Sequence, residues 1–315
     1  MERSYWSGAT VRSVPHEPMA PGDVLALHST LSNWGRWGDD DQLGALNLIT
    51  PEVTAAAAAT VRAGRTVSCA RALDTRGAVD NPNPVAHHMI GTATEGGGAD
   101  YIALAPHGFA TSHIDALCHI FHEGKIFNGY PVETVTAHGA TRLGIHHLQA
   151  GIVTRGVLLD IPALREVDAL EPGEPIFPED LEAAEARAGL RVRAGDALLV
   201  RTGRWRWRAE HGAWDAATLA AGLDASCLAW LRDRDVATLG SDGVSDVLPS
   251  RVEGVVMPIH TVVIVAMGVH LMDNLDLDAL ADACAEERRW EFLLTVAPLV
   301  IRRGTASPVN PIAVF

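Results

Sequence analysis

The stretch Gly151-Ile152-Val153-Thr154-Arg155-Gly156-Val157-Leu158-Leu159-Asp160-Ile161 decides the fold. It is a β-branched and leucine-rich run bounded by Gly and Pro, the mark of a strand buried on both faces. Ala197–Thr202 (ALLVRT) has the same character. Between the two, Pro178–Arg187 reads as a helix, with Glu179 and Asp180 in an acidic first turn and Gly189 just past its end. Ala225–Asp233 reads as another helix that leads into a strand at Val236–Gly240. Helices and strands alternating in this way predict a mixed α/β domain.

Toward the N-terminus, Thr50 can cap a helix that has Pro51 in its first turn and runs through the alanine-rich Val53–Arg62 to a stop at Gly64. A strand is expected at Thr66–Ala70. Gly77–Gly98, with Asn81-Pro82-Asn83-Pro84 and Gly96-Gly97-Gly98, is rich in turn formers and predicts a long functional loop. Trp205-Arg206-Trp207-Arg208 reads as a solvated or subunit-contact loop. Residues 1–33, with Pro15, Pro18 and Pro21, read as an N-terminal arm, with order beginning near Trp34 and a single catalytic domain over 34–315.

The 315 residues are 48% hydrophobic, enough for a large core. Lys+Arg 25 against Asp+Glu 39 gives a net charge of −14, and Lys125 is the sole lysine. Such a chain has no basic face for phosphates, so neither nucleic acid nor an anionic membrane is an expected partner. Apolar runs such as Thr261–Met267 fall short of the ~20 residues of a membrane helix. Met1–Trp6 lacks a secretory pattern, so the expected location is the cytoplasm. Cys69, Cys118, Cys227 and Cys284 are scattered and read as reduced, buried thiols.

The chemistry concentrates in His107-Gly108-Phe109-Ala110-Thr111-Ser112-His113-Ile114-Asp115-Ala116-Leu117-Cys118-His119. On a strand His113 and Asp115 share a face, about 7 Å apart. If a helix begins at Asp115, His119 falls one turn on, on the same side. Two readings stand: core histidines bonded to backbone, or a group that holds a metal. Downstream, His260 opens the apolar run Thr261–Met267, and Gly268 allows Val269–Asp273 to return beside it. Burying Asp273 without a cation is costly, although it could instead cap a helix starting at Leu275. Ser112 lacks a Gly-x-Ser-x-Gly elbow and Cys118 falls on the apolar side, which disfavours covalent catalysis. No dinucleotide fingerprint or phosphate loop occurs.

His113-Ile114-Asp115-Ala116-Leu117-Cys118-His119, followed by Gly124-Lys125-Ile126-Phe127-Asn128-Gly129, resembles the metal-dependent cyclase family of hydrolases, which includes kynurenine formamidase, isatin hydrolase and trans-dienelactone hydrolase. Trp37–Asn47, Arg155–Asp160, Gly240-Ser241-Asp242-Gly243 and Ser307–Pro311 are similar to other stretches of that family, in order. The resemblance implies a mixed sheet or barrel-like β/α/β body with peripheral helices, in a homodimer or homotetramer. It implies a divalent metal ion, zinc or manganese, held by His113, Asp115, His260 and Asp273, with Asp273 where the family usually has glutamate. His119 stands at the position of the proton donor and acceptor. The implied reaction is cleavage of a C–N amide or lactam bond in a small cyclic or aromatic substrate by metal-activated water; lactone hydrolysis and a non-catalytic homologue are the alternatives.

One position departs from the pattern. The family's first histidine falls at Phe109, and a phenyl ring binds no metal. His107 would lie about 20 Å from His113 on a straight strand, so the expectation is a single metal with His107 outside its shell unless Gly108–Ser112 loops. His87 and His88 are the other replacements or substrate contacts. Trp34, Trp37, Phe109 and Phe121 could wall a ring substrate, or serve as core or dimer contacts.

Overall fold

The computed structural model describes residues 16–315. Its centre is a nine-stranded mixed sheet, curled into a half-barrel. Four parallel strands form the middle: Ile152–Asp160, Ala197–Arg201, Thr238–Ser241 and His270–Asp273. Antiparallel strands extend it on both sides. Glu291–Val296, Ile312–Val314 and Thr66–Ser68 follow from Ile152–Asp160, while His113–Asp115 and Ala306–Pro308 follow from His270–Asp273. This is the mixed α/β architecture expected from the strand and helix alternation.

The two longest central strands carry the apolar runs Val157–Leu159 and Ala197–Val200 because the sheet is covered on both faces. Val157, Leu158 and Leu159 are inaccessible to solvent, and each such side chain contributes roughly 1.5–3 kcal/mol of transfer free energy. Gly156 permits the neighbouring strand's Phe292 to cross: a Cβ there would lie 2.2 Å from the phenyl ring. The helix Pro178–Ala188 ends on left-handed Gly189 as its sequence suggests. Thr50 accepts a hydrogen bond from Val53 N and starts the helix Pro51–Ala58.

Three expectations are corrected. Gly77–Gly98 is not all loop, because Ala86–Gly91 pairs with Ala99–Ala103 as a hairpin. Its residues alternate too little in polarity to reveal a strand, being exposed on both faces. Trp205–Arg208 lies in a helix, Arg204–His211, rather than a solvated loop. Trp205 is buried with its indole N–H donated to Leu275 O, and Arg208 pairs with buried Asp80. Order begins before Trp34: Pro21–Thr30 is a helix whose Val24 is buried. Residues 1–15 of the expected arm lie outside the described residues. No described helix is long and apolar enough to cross a membrane.

The antiparallel end of the sheet positions the polar cluster. His113 faces Asp273 across one ladder and Pro308 across the other. The chain reaches His270–Asp273 from His260 through Thr261–Ala266, a π-helical segment, and Gly268 turns it back. Wide π turns frequently accompany functional sites.

Candidate metal centre

Strand periodicity puts His113 and Asp115 on one side of their strand, with His113 Nε2 at 3.5 Å from Asp115 Oδ1. The His113 Nδ1–H donates to Thr111 O at 2.8 Å, which leaves Nε2 free to face the carboxylate. No helix follows Asp115. A turn closed by His119 N donating to Ala116 O carries His119 back, so that its Nε2 sits 4.0 Å from Asp115 Oδ2.

His107 belongs to the same cluster, contrary to the expectation that it stays outside. Gly108, with φ +128°, opens a curl that a straight strand could not make. His107 Nδ1 lies 3.0 Å from Asp115 Oδ1, and its Nε2 shares a 3.0 Å hydrogen bond with Thr305 Oγ1. The Phe109 ring instead packs against the small cluster of Ala220, Val244 and Leu248.

The downstream pair also meets. His260 Nε2 is 3.2 Å from Asp273 Oδ2 and 3.9 Å from Asp115 Oδ2. Asp246 orients the ring by accepting from His260 Nδ1–H at 2.6 Å, and its carboxylate also accepts from the backbone N–H of Ile259 and His260. Two groups therefore share one carboxylate: His107, His113 and Asp115, and Asp115, His260 and Asp273, the donor atoms of each lying within 4.8 Å of one another.

Burial and charge shape the protonation of these groups. Burial pushes the Asp115 carboxyl up, but His107, His113 and His119 outweigh it and hold it below the usual carboxylate range. Burial lowers His119 to about 4, against the opposing pull of Asp115. His260 is held well above its ordinary value, since Asp273 and Asp246 outweigh the desolvation of its ring. Buried His270, donating Nδ1–H to Asp115 O at 2.8 Å, is pushed down to about 4 by desolvation.

Among the described residues, both Asp115 oxygens, Asp273 Oδ1 and His107 Nδ1 are buried without a well-formed hydrogen bond, even though His107 Nδ1 stands 3.0 Å from Asp115 Oδ1. Imidazoles surround these carboxylates without closing hydrogen bonds to Asp115, and a divalent cation would take the oxygens and the facing ring nitrogens together as ligands. Imidazole and carboxylate donors suit zinc and manganese alike. The residues fit a divalent metal.

Sequence reading missed Asp246, His270, Asn274 and Arg204. Asp246 lies beyond the Gly240-Ser241-Asp242-Gly243 stretch and becomes visible only when the fold sets it under His260. Trp34 donates its indole N–H to Val265 O at 2.6 Å, Trp37 lies under Arg36, and Phe121 is exposed. His87 pairs with Asp100 on the exposed hairpin, and His88 faces Tyr101 there.

Comparison with known proteins finds relatives of the whole chain. A solved structure described as a novel cyclase is 32% identical, covers 91% of this chain and 99% of its own, and superposes with a TM-score of 0.81. An isatin hydrolase bound to the product analogue thioisatinate is 18% identical over 80% of this chain and 92% of its own, TM-score 0.57. Isatin hydrolase A from Ralstonia solanacearum is 21% identical over 84% and 97%, TM-score 0.57. The last two establish likeness of fold alone. No curated protein matches the chain. The family model Cyclase, described as "Putative cyclase", matches residues 78–246, a stretch that holds His107, His113, Asp115, His119 and Asp246. Since that match spans more than half of the chain and the 32% identical structure is covered almost end to end, the protein belongs to the Cyclase family.

Proposed function

We propose that the protein is a metal-dependent hydrolase that cleaves a C–N amide or lactam bond in a small cyclic or aromatic substrate. The observation that carries this reading is Asp115: buried, with neither oxygen in a well-formed hydrogen bond among the described residues, and with a separate His/Asp group facing each oxygen. Such an arrangement suits two divalent ions, zinc or manganese, with His107 and His113 serving one and His260 and Asp273 the other. When bound, the metal supplies positive charge that makes water more acidic and stabilises negative charge on a carbonyl oxygen.

The chain's own residues then have distinct tasks. Asp246 and Thr111 O accept from the Nδ1–H of His260 and His113 and so direct Nε2 of each ring toward the carboxylates. His119 stacks on His107, its ring has no hydrogen-bond partner among the described residues, and its side chain retains 27% exposure, so substrate and water can reach it. Neutral at pH 7, it can take a proton as water adds to the carbonyl carbon and return that proton to the departing nitrogen as the C–N bond breaks. The products are an amine and a carboxylic acid, which ionises by releasing its proton to solvent, and no covalent enzyme intermediate is needed. Buried Cys118, its thiol pushed up to about 12 by desolvation, is unsuited to nucleophilic attack.

The test is elemental analysis of purified protein alongside hydrolysis of an aryl formamide, a benzo-fused lactam and a matching lactone. Co-loss of metal and turnover in Asp115→Ala supports the reading; full turnover by metal-free protein sinks it. Faster lactone than lactam cleavage would move the substrate class to esters, and metal binding without turnover of any of the three would make the protein a binder. We further propose a homodimer or homotetramer, supported by the exposed apolar residues Met89, Ile90, Tyr101 and Ile102 on the hairpin.

A further inference from the structure

Asn274 follows Asp273 directly and adopts the left-handed conformation, φ +55°, which asparagine tolerates better than most residues. Its side-chain amide donates to Gly108 O at 2.7 Å and to Thr111 O at 3.2 Å. Its Oδ1 accepts from one arm of the Arg204 guanidinium at 2.5 Å, while the other arm donates to Phe109 O. Its main-chain carbonyl accepts from Ser112 Oγ at 2.7 Å. Two side chains thus tie the carbonyls of Gly108, Phe109 and Thr111, which together define the curl after His107.

The anchor for this clamp lies in the sheet. Asp242, just beyond the strand Thr238–Ser241, accepts hydrogen bonds from the backbone N–H of Thr202, Gly203 and Arg204 and from Thr202 Oγ1. Those contacts fix the start of the helix that carries Arg204. The guanidinium is almost wholly buried, which pushes Arg204 down to about 10 even though Asp80, Asp242 and Asp273 pull it up. Its hydrogen bonds go to Asn274 and to the loop, not to any of these carboxylates.

We propose that Asn274 and Arg204 are positioning residues: they hold the 108–111 curl that aims His107 Nδ1 at Asp115 Oδ1, and so set the affinity of the metal position that His107 serves. The inference about affinity rests on the metal reading above. Without the clamp the Gly108–Ser112 backbone is free to extend, and extension carries His107 away from Asp115.

Asn274→Asp is the decisive variant, since it keeps the size and the acceptor toward Arg204 but sets a carboxylate oxygen against two carbonyls. Zinc affinity is measured by competition with a chromophoric chelator, in the wild-type and His107→Ala backgrounds. The expected result is a loss of about 10–100-fold at one position in the wild-type background, the usual effect of removing a residue that orients a ligand. In His107→Ala the same change should leave the remaining position within about twofold, because the coupling partner is gone. Unchanged affinity in the wild-type background overturns the proposal. Equal loss in both backgrounds also overturns it, by assigning Asn274 to Asp273 instead. Crystal structures of chelator-treated protein give a second readout independent of metal: the His107 Nδ1 to Asp115 Oδ1 distance of 3.0 Å should widen in Asn274→Asp, and an unchanged distance refutes the clamp. A wild type that takes up no zinc would sink the metal reading, while this distance still decides whether the clamp holds His107. If Asn274→Asp does not fold, Arg204→Lys, which cannot reach Asn274 and Phe109 O together, is judged by the same two measurements.

Discussion

The ring of His107 lies flat against that of His119, with centroids 3.8 Å apart and planes 14° from parallel. The two stacked rings address opposite oxygens of one carboxylate, His107 Nδ1 at 3.0 Å from Asp115 Oδ1 and His119 Nε2 at 4.0 Å from Oδ2. Their roles should separate on mutation. His119→Ala is expected to keep its metal and lose about 10²–10⁴-fold in turnover, the usual effect of removing a general acid/base. Metal loss as complete as in His113→Ala would make His119 a ligand instead.

His107→Ala should change metal content rather than only rate. Elemental analysis is expected to give two equivalents of divalent metal in the wild type and one in the variant, because Asp115, His260 and Asp273 form a group without His107. Two equivalents retained in the variant would remove His107 from the coordination shell.

Asp246 is wholly buried and touches His260 at 2.6 Å, so its effect on metal passes through that ring. Asp246→Asn retains the shape but replaces the carboxylate with a weaker acceptor. We expect metal affinity to fall by about 10–100-fold, measured by chelator competition. Affinity within experimental error of wild type would leave Asp246 a purely structural role.

Stability should also depend on pH through Asp196, far from the metal centre. Desolvation raises its carboxyl from 3.8 to about 6, against the opposing charges of Arg155 and Arg193. Between those values the folded chain holds a proton that the unfolded chain has released, so this contribution is fully present below about 3.8 and is lost as pH rises through about 6. Asp196→Asn, which cannot titrate, should flatten the fall in unfolding free energy across that window by an amount on the order of 2 kcal/mol. Parallel wild-type and variant curves from denaturant unfolding at pH 4 and pH 7 would contradict this.

What could be read from the sequence was local and periodic. His113 and Asp115 share a face because a strand repeats every two residues, and the central strands announce themselves because burial on both faces demands continuous apolar runs. The return of Asp273 to His260 followed from the length of the apolar run and the stop at Gly268. For His107 the sequence leaves two outcomes, a straight strand that keeps it away or a loop over Gly108–Ser112 that brings it in, and the bend at Gly108 takes the second. Asn274, Arg204 and Asp246 left no local signal: each acts on residues at least 13 positions away, and nothing in their immediate neighbours marks them. The Ala86–Gly91 strand was hidden for a different reason, since a hairpin exposed on both faces needs no hydrophobic alternation.

The strand Ala306–Pro308 forms the outer flank of His113–Asp115, and Thr305 beside it bonds His107. This has a consequence for the order in which the protein comes into being. On a ribosome, His107, His113 and Asp115 emerge long before the segment that pins them, and His260 and Asp273 also arrive late. Contacts so distant along the chain form slowly, because loop closure must precede the interactions that reward it. A nascent chain that already contains its first motif therefore still lacks Thr305, His260 and Asp273, and with them an assembled place for a metal ion.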